Sequence, residues 1–279
     1  MNRVKILFCL FLLVLSLIYV CDSFKKIDVI SFLLSDDKKS VVLSSVTSNN
    51  VNTKFSSSTD ISNNKLINKG EVNNKTNIDL DPIIYIYNTH ETEEYKSNFY
   101  NITPTVKTVS NIMKDELLKL DINSVVETKS VQKEVNKRGL DYPGTYTVSL
   151  EYLKGSRGKN PSLKYFFDMH RDSVVGDAAR VSISNKKYAT VMFLVGTKNQ
   201  YYKRNLKGIR VMEKYLNKHY EGLLRSTYYQ PNSTFYQDYD SNMFLVELGG
   251  PDNTLEEIYN STVALSKAIK YYVEVDNEK

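Results

Sequence analysis

Three short apolar runs in this chain each end abruptly in side chains of acid–base or metal-ligating type. That arrangement narrows the folds open to it. Residues 83–94 read I-I-Y-I-Y-N-T-H-E-T-E-E, residues 163–172 read L-K-Y-F-F-D-M-H-R-D and residues 243–250 read M-F-L-V-E-L-G-G. Runs of strand formers apolar on both faces belong in the middle of a covered sheet. In α/β proteins the carboxyl ends of such strands are where ligands and chemistry sit. The threefold repetition is the main functional signal in the sequence.

Between these runs the spacing alternates in the same sense. Val106, Val109, Met113, Leu117 and Leu120 recur every three or four residues, which predicts an amphipathic helix. A second strand is expected over 122–126, loop or partial helix over 129–143, and a helix over 146–153 ended by Gly155 and Gly158. Residues 181–184 and 190–195 read as a hairpin joined through 185–187. Leu206, Ile209, Met212 and Leu216 line one face of a long helix, and a short strand is expected over 224–229. Thr254 with Glu257 forms a capping box opening a last helix, whose apolar face is Ile258, Leu265, Ile269 and Tyr272. Strands alternating with helices predict one α/β domain over residues 80–279, its mostly parallel central sheet flanked by helices on both faces.

The amino-terminal part reads differently. Residues 6–20 are apolar apart from Ser16, with Arg3 and Lys5 before them, so 1–24 is expected to be a membrane anchor or a signal peptide. A stretch of about 17–25 residues suffices to span, and no small-x-small cleavage site follows, which favours the retained anchor. The basic start leaves the rest of the chain extracytoplasmic. Residues 25–79 are expected to be a flexible tether, because the Ser-, Asn-, Thr- and Lys-rich composition of 36–79 cannot bury enough apolar surface to offset its entropy. Both cysteines, Cys9 and Cys21, fall in the first segment. A disulfide framework, a cysteine zinc cluster and a catalytic thiol are thereby excluded from the folded part. The net charge of +5 is spread along the chain and does not point to nucleic acid.

Three histidines are present: His90, His170 and His219. His219 sits in a charged helix beside Lys218 and reads as solvated. His90 and His170 end apolar strands, where imidazole serves as a zinc ligand, with a third protein ligand and one open position for water. Glu93 shares the loop of His90 and is the expected third ligand, with Glu91 and Glu94 as competitors. Asp168 and Asp172, two residues either side of His170, are placed to orient an imidazole. Glu247 interrupts F-L-V-E-L, and carboxylates are almost never buried unpaired. A metal-activated water beside it would give it the work of a general base. A lone strand-end histidine is more often a hydrogen-bonded structural residue than a ligand.

N-T-H-E-T-E-E-Y (88–95), D-M-H-R-D-S (168–173), V-G-T-K-N (195–199), Y-Q-D (236–238) and V-E-L-G-G-P-D-N-T-L-E-E (246–257) together resemble the stage II sporulation protein P family. That family acts in engulfment during endospore formation and is related to zinc-dependent N-acetylmuramoyl-L-alanine amidases. The resemblance implies a zinc amidase fold and a peptidoglycan hydrolase that cuts the amide between N-acetylmuramic acid and the stem peptide, with cross-link cleavage also credited to the family. It implies Zn2+ held by His90, Glu93 and His170, and Glu247 as catalytic base. Arg171, Asp172, Arg225, Gln237 and Asn253 match family positions and are candidates for supporting the site or binding substrate. It also implies stage II sporulation proteins D and M as partners, and anchoring in the mother-cell membrane facing the forespore. Asn88 stands where the family usually has histidine, and Ser173 where it usually has alanine. The rival expectations are a decayed wall-binding or scaffolding module, for which Asn88 is the only sequence support, and a zinc peptidase acting on small peptides.

Overall fold

The first apolar run becomes β1 (Ile84–Tyr87), with all four residues buried. In a computed structural model describing residues 80–98 and 101–278 it is followed by α1 (Val106–Lys119), β2 (Ser124–Val126), α2 (Val131–Arg138), α3 (Gly144–Lys159) and β3 (Tyr165–His170). A 3-10 turn, Gly176–Ala179, leads into β4 (Arg180–Ile183), β5 (Lys186–Ala189) and β6 (Val191–Gly196). Then come α4 (Tyr202–His219), β7 (Tyr228–Gln230), β8 (Met243–Leu248) and α5 (Leu255–Asn277). The expected anchor and tether lie outside the described residues. Among those residues, no helix is long and apolar enough to cross a membrane.

The main sheet runs β2-β1-β3-β8-β6-β7. Its first four strands are parallel, β6 is antiparallel to β8, and β7 is parallel to β6. The expected mostly parallel α/β architecture is what the protein has. Side chains alternate across each strand, so each apolar run feeds two layers. Ile84, Ile86, Tyr165, Phe167, Met169, Phe244 and Val246 enter the larger core with α1, α4 and α5. Tyr85, Tyr87, Phe166 and Met243 enter a smaller one with Leu153 of α3 and Leu163. Helices therefore cover both faces, and the functional side chains belong to the smaller layer.

Several local expectations are corrected. The hairpin is β4 with β5, closed by Ser184 and Asn185 at φ 48° and 64°. Two consecutive left-handed residues make the tight turn that suits the twist of a hairpin. The run expected as its second arm, 190–195, is instead β6 of the main sheet, because Val191, Phe193 and Val195 are buried in the larger core. Helix α3 starts earlier than expected and passes through Gly155 and Gly158, since burial of Val148 and Leu153 outweighs the glycine penalty of about 1 kcal/mol each. The partial helix expected within 129–143 is borne out over residues 131–138, capped by Ser130 and ended by Gly139 at φ 65°. The third strand runs Tyr165–His170 and so includes His170 itself. The strand expected over 224–229 forms only at Tyr228–Gln230, with Leu224 making a single bridge to Val191.

The start of α5 is tied to the Gly249–Gly250 turn before it. The Thr254 and Glu257 capping box forms as expected. Arg180 reaches from β4 to Glu257 Oε1 (3.1 Å) and to the carbonyls of Asp252 (3.0 Å) and Gly176 (3.1 Å). Asn253 accepts from Gly250 N at 2.7 Å and donates to Glu257 Oε2 at 3.0 Å. The turn leaving β8 is thus held by Arg180, Asn253 and Glu257.

Candidate active site

Alternation and register place the chemistry. On β3, Tyr165, Phe167 and Met169 face the larger core, which turns Asp168 and His170 to the opposite face. On β8, Phe244, Val246 and Leu248 do the same, which turns Glu247 to that face. His170 and Glu247 are direct partners in the parallel β3–β8 ladder. An imidazole and a carboxylate nearly eighty residues apart in sequence therefore sit side by side at the carboxyl ends of adjacent strands.

The segment after β1 folds over them. Glu93 N donates to His90 O at 3.1 Å, closing a turn that returns Glu93 toward β3. Glu93 Oε2 then accepts from Arg171 N at 2.7 Å and lies 3.8 Å from His170 Nδ1. The competing glutamates are placed elsewhere. Glu91 caps α2 through Ser130 Oγ and Gln132 N and pairs with Lys107, and Glu94 is exposed in a bridge with Thr105. Of the three, Glu93 is the one beside His170. The His90 ring stands 5.1 Å from the His170 ring at 79° and stacks on Tyr142 at 4.3 Å.

Asp168 holds the other side of His170. It accepts from Thr89 N at 2.9 Å and Thr89 Oγ1 at 2.7 Å, and its Oδ2 lies 3.0 Å from His170 Nε2. Burial by itself lowers the pKa of His170, but the carboxylates of Asp168, Glu93 and Glu247 outweigh it and hold it well above the ordinary value. His90 is shifted down, by burial first and then by His170, against the pull of Asp168 and Glu93. Burial pushes the Glu247 carboxyl up to about 7; His170 opposes this, and Glu93, Asp172 and Asp168 add to it. A carboxyl titrating near neutrality can both take and return a proton at the pH where such a protein works.

The donors fit a divalent metal in chemical type. His90 Nε2 and Glu247 Oε2 are buried without a hydrogen-bond partner, which native structures rarely tolerate without a functional reason, whereas His170 Nε2 faces Asp168 Oδ2 at 3.0 Å. Two imidazoles with one carboxylate form a known donor set for catalytic zinc. Among the described residues, no three His, Cys, Asp or Glu side chains converge as an already formed metal cluster.

The remaining expected residues divide into two groups. Arg225 pairs with Asp172 Oδ2, and Arg171 Nη1 donates to Asp172 O at 3.0 Å. Both Nε atoms are buried and unpartnered, so a guanidinium pair borders the end of β3. Gln237 and Asn253 are engaged in the scaffold instead. Gln237 accepts from Gly196 N at 2.9 Å and donates to Leu194 O at 2.8 Å, which leaves it a strap on β6; Asn253 holds the turn after β8. Asn88 turns into the larger core, donating to Met169 O at 2.8 Å and accepting from Ser110 Oγ at 3.0 Å. Asn88→Ala is expected to cost about 1–3 kcal/mol, the penalty of an orphaned buried carbonyl, and to leave metal content unchanged. Urea unfolding and metal analysis of the variant check both. Sequence reasoning missed Tyr142 and Tyr146, which frame His90; nothing in their charged surroundings marks them. The expected orienting place of Asp168, on the same face of the strand as His170, is where it stands.

Residues 24–270 match the family model described as Stage II sporulation protein P (SpoIIP). The chain belongs to that family. It is 30% identical over 195 residues to the stage II sporulation protein P of Bacillus subtilis (strain 168), an alignment covering 65% of this chain and 49% of that protein. The chain thus spans about half the length of this curated relative. Among solved structures it is similar to the CwlD amidase from Clostridioides difficile in complex with the GerS lipoprotein, with a TM-score of 0.44 and 15% identity, over 70% of this chain and all (100%) of that one. It is also similar to the N-acetylmuramoyl-L-alanine amidase AmiC2 of Nostoc punctiforme, with a TM-score of 0.41 and 8% identity, over 71% of this chain and 98% of that one.

Proposed function

We propose that this protein is a zinc-dependent peptidoglycan hydrolase that cleaves the amide between N-acetylmuramic acid and the L-alanine of the stem peptide. The observation that carries the reading is the register pair of His170 with Glu247, whose carboxyl is raised to about 7 and has an unpartnered buried oxygen. Membership of a sporulation family agrees with it.

His90, His170 and Glu93 are the residues that would hold the ion. Zinc supplies polarisation of the scissile carbonyl and a water with its pKa lowered to about 7. Glu247 takes the proton from the attacking water and delivers it to the amine nitrogen as the carbon–nitrogen bond breaks. Asp168, clamped by Thr89, holds the His170 ring in one orientation. Glu93 is steadied by the Arg171 backbone amide.

The same reading extends to setting and partners. We place the domain outside the cytoplasm on an amino-terminal anchor, in the mother-cell membrane facing the forespore, with stage II sporulation proteins D and M as partners in engulfment. Co-purification of the full chain with each partner from sporulating cells tests this.

Purified protein is expected to release stem peptides from intact sacculi, to lose more than about 99% of that rate with chelator, and to regain it with added zinc. Mass spectrometry of the products separates amide cleavage from cross-link cleavage. Sacculus binding without any released peptide, in zinc-loaded protein, would sink the reading in favour of a wall-binding module.

A further inference from the structure

We propose that Tyr142, Tyr146 and Tyr236 form a binding wall for a saccharide ring of the substrate, on the His90 side of the site. The inference rests on the hydrolase reading for its choice of ligand but not for its geometry.

Three observations carry it. Tyr142 is 67% exposed although one face of its ring lies on the His90 imidazole at 4.3 Å and 18°. Its other face is open at the mouth of the site. Tyr146 sets its edge against His90 at 5.3 Å and lies nearly parallel to Tyr236, with centroids 6.1 Å apart and planes within 7°. Tyr236 is itself 36% exposed. Aromatic surface thus continues outward from a candidate metal ligand.

The third observation is strain. Phe235 and Tyr236 both lie in the left-handed region, at φ 47° and 54°. Bulky side chains rarely adopt that conformation, and such outliers concentrate where they serve a ligand. The chain enforces it from both sides. Ser233 Oγ and Thr234 Oγ1 accept from Phe235 N and Tyr236 N at 3.1 and 3.2 Å, and Gln237 straps the next residue to β6. A tyrosine held this way, with its hydroxyl 3.1 Å from Thr147 Oγ1, is aimed rather than idle.

The chemistry of the wall selects its occupant. The tyrosine rings present π faces, which attract the C–H groups on the apolar face of a pyranose. The guanidinium groups gather elsewhere: Arg171 and Arg225 surround Asp172 past the end of β3. The scissile bond joins a sugar to a peptide bearing carboxylates. The aromatic side fits the sugar, and the guanidinium side fits the peptide.

The chain contains no tryptophan, so Tyr142→Trp in the full chain introduces a single fluorescent reporter at the wall. Peptide-free glycan strands of alternating N-acetylglucosamine and N-acetylmuramic acid are the probe. They are expected to shift its emission, and adding Tyr236→Gly should weaken their binding about tenfold, whereas adding Tyr236→Phe should not. Glycine relieves the left-handed backbone, so Tyr236→Gly is expected to melt no lower than its parent, a result that a merely structural tyrosine would reverse. With intact sacculi the loss in Tyr236→Gly should appear in KM rather than kcat. Unchanged emission with glycan strands, equal affinity with and without Tyr236, or a shift produced by free stem peptide alone each overturns the wall. Glycan binding that depends on Tyr236 in a protein without turnover keeps the wall and removes the hydrolase reading. Turnover untouched by Tyr236→Gly does the reverse.

Discussion

Glu247→Gln is expected to lower hydrolysis by about 10²–10⁴-fold, the range for removing a general base, and at the same time to stabilise the metal-free fold at alkaline pH. The folded protein holds this carboxyl at about 7 against an ordinary 4.5, chiefly by burial. A raised carboxyl favours folding while protonated, so its contribution is full below about pH 4.5 and is lost as the pH rises through about 7. The gap between the two values corresponds to about 3 kcal/mol. In chelator-treated protein, Glu247→Gln should exceed the parent by up to that amount at pH 8 and match it near pH 4, because the neutral amide has no charge to desolvate. Urea unfolding at the two pH values measures it. Equal stability of parent and variant at pH 8 would mean that the carboxylate is solvated or paired, and would remove the main electrostatic argument for its role. A residue that weakens the fold where it works is the pattern expected of an active-site group.

Gly250→Ala is expected to cost about 3 kcal/mol or more and to empty the site of activity. A Cβ there would lie 1.7 Å from the carbonyl oxygen of Val174, which is backbone and cannot swing aside. The segment after β3 would have to leave the segment after β8, breaking the 3.0 Å bond from Asp172 N to Gly249 O. That contact holds the Asp172 and Arg225 pair beside Glu247. Gly155→Ala is the contrasting case. In α3 a Cβ at that position meets nothing within 4 Å, so the change should stabilise by about 1 kcal/mol through helix propensity. A mild effect at Gly250, comparable to that at Gly155, would show that the E-x-G-G turn tolerates opening.

The legible parts of the fold were those with strong local patterning. The amphipathic spacing of α1, α4 and α5 and the Thr254–Glu257 capping box each depend on residues within a few positions of one another, and all formed as expected. The apolar runs of β1, β3 and β8 were equally plain, since burial on both faces keeps them apolar until their carboxyl ends, where Asp168, His170 and Glu247 stand. What misled were punctuation and pairing. Gly155 and Gly158 read as a helix end, but tertiary burial of α3 carried the helix through them. Residues 190–195 read as a hairpin arm, because a sequence shows that a segment is a strand without showing its partner.

The site divides in the same way. The residue types of the candidate chemistry, with the two-residue spacing that puts Asp168 and His170 on one face of β3, are properties of the sequence alone. Tertiary structure decided which of three neighbouring glutamates stands beside His170, because only the His90–Glu93 turn and the Arg171 amide select Glu93 from Glu91 and Glu94. It decided that Asn88 faces Ser110 and Met169 in the larger core, and that Gln237 and Asn253 are straps. It also brought Tyr142, Tyr146 and Tyr236 to the rim. Short-range periodicity is written into the chain by geometry that every residue shares. Which strand lies beside which, and hence the juxtaposition of His170 with Glu247, follows from packing the two apolar faces of the whole sheet at once.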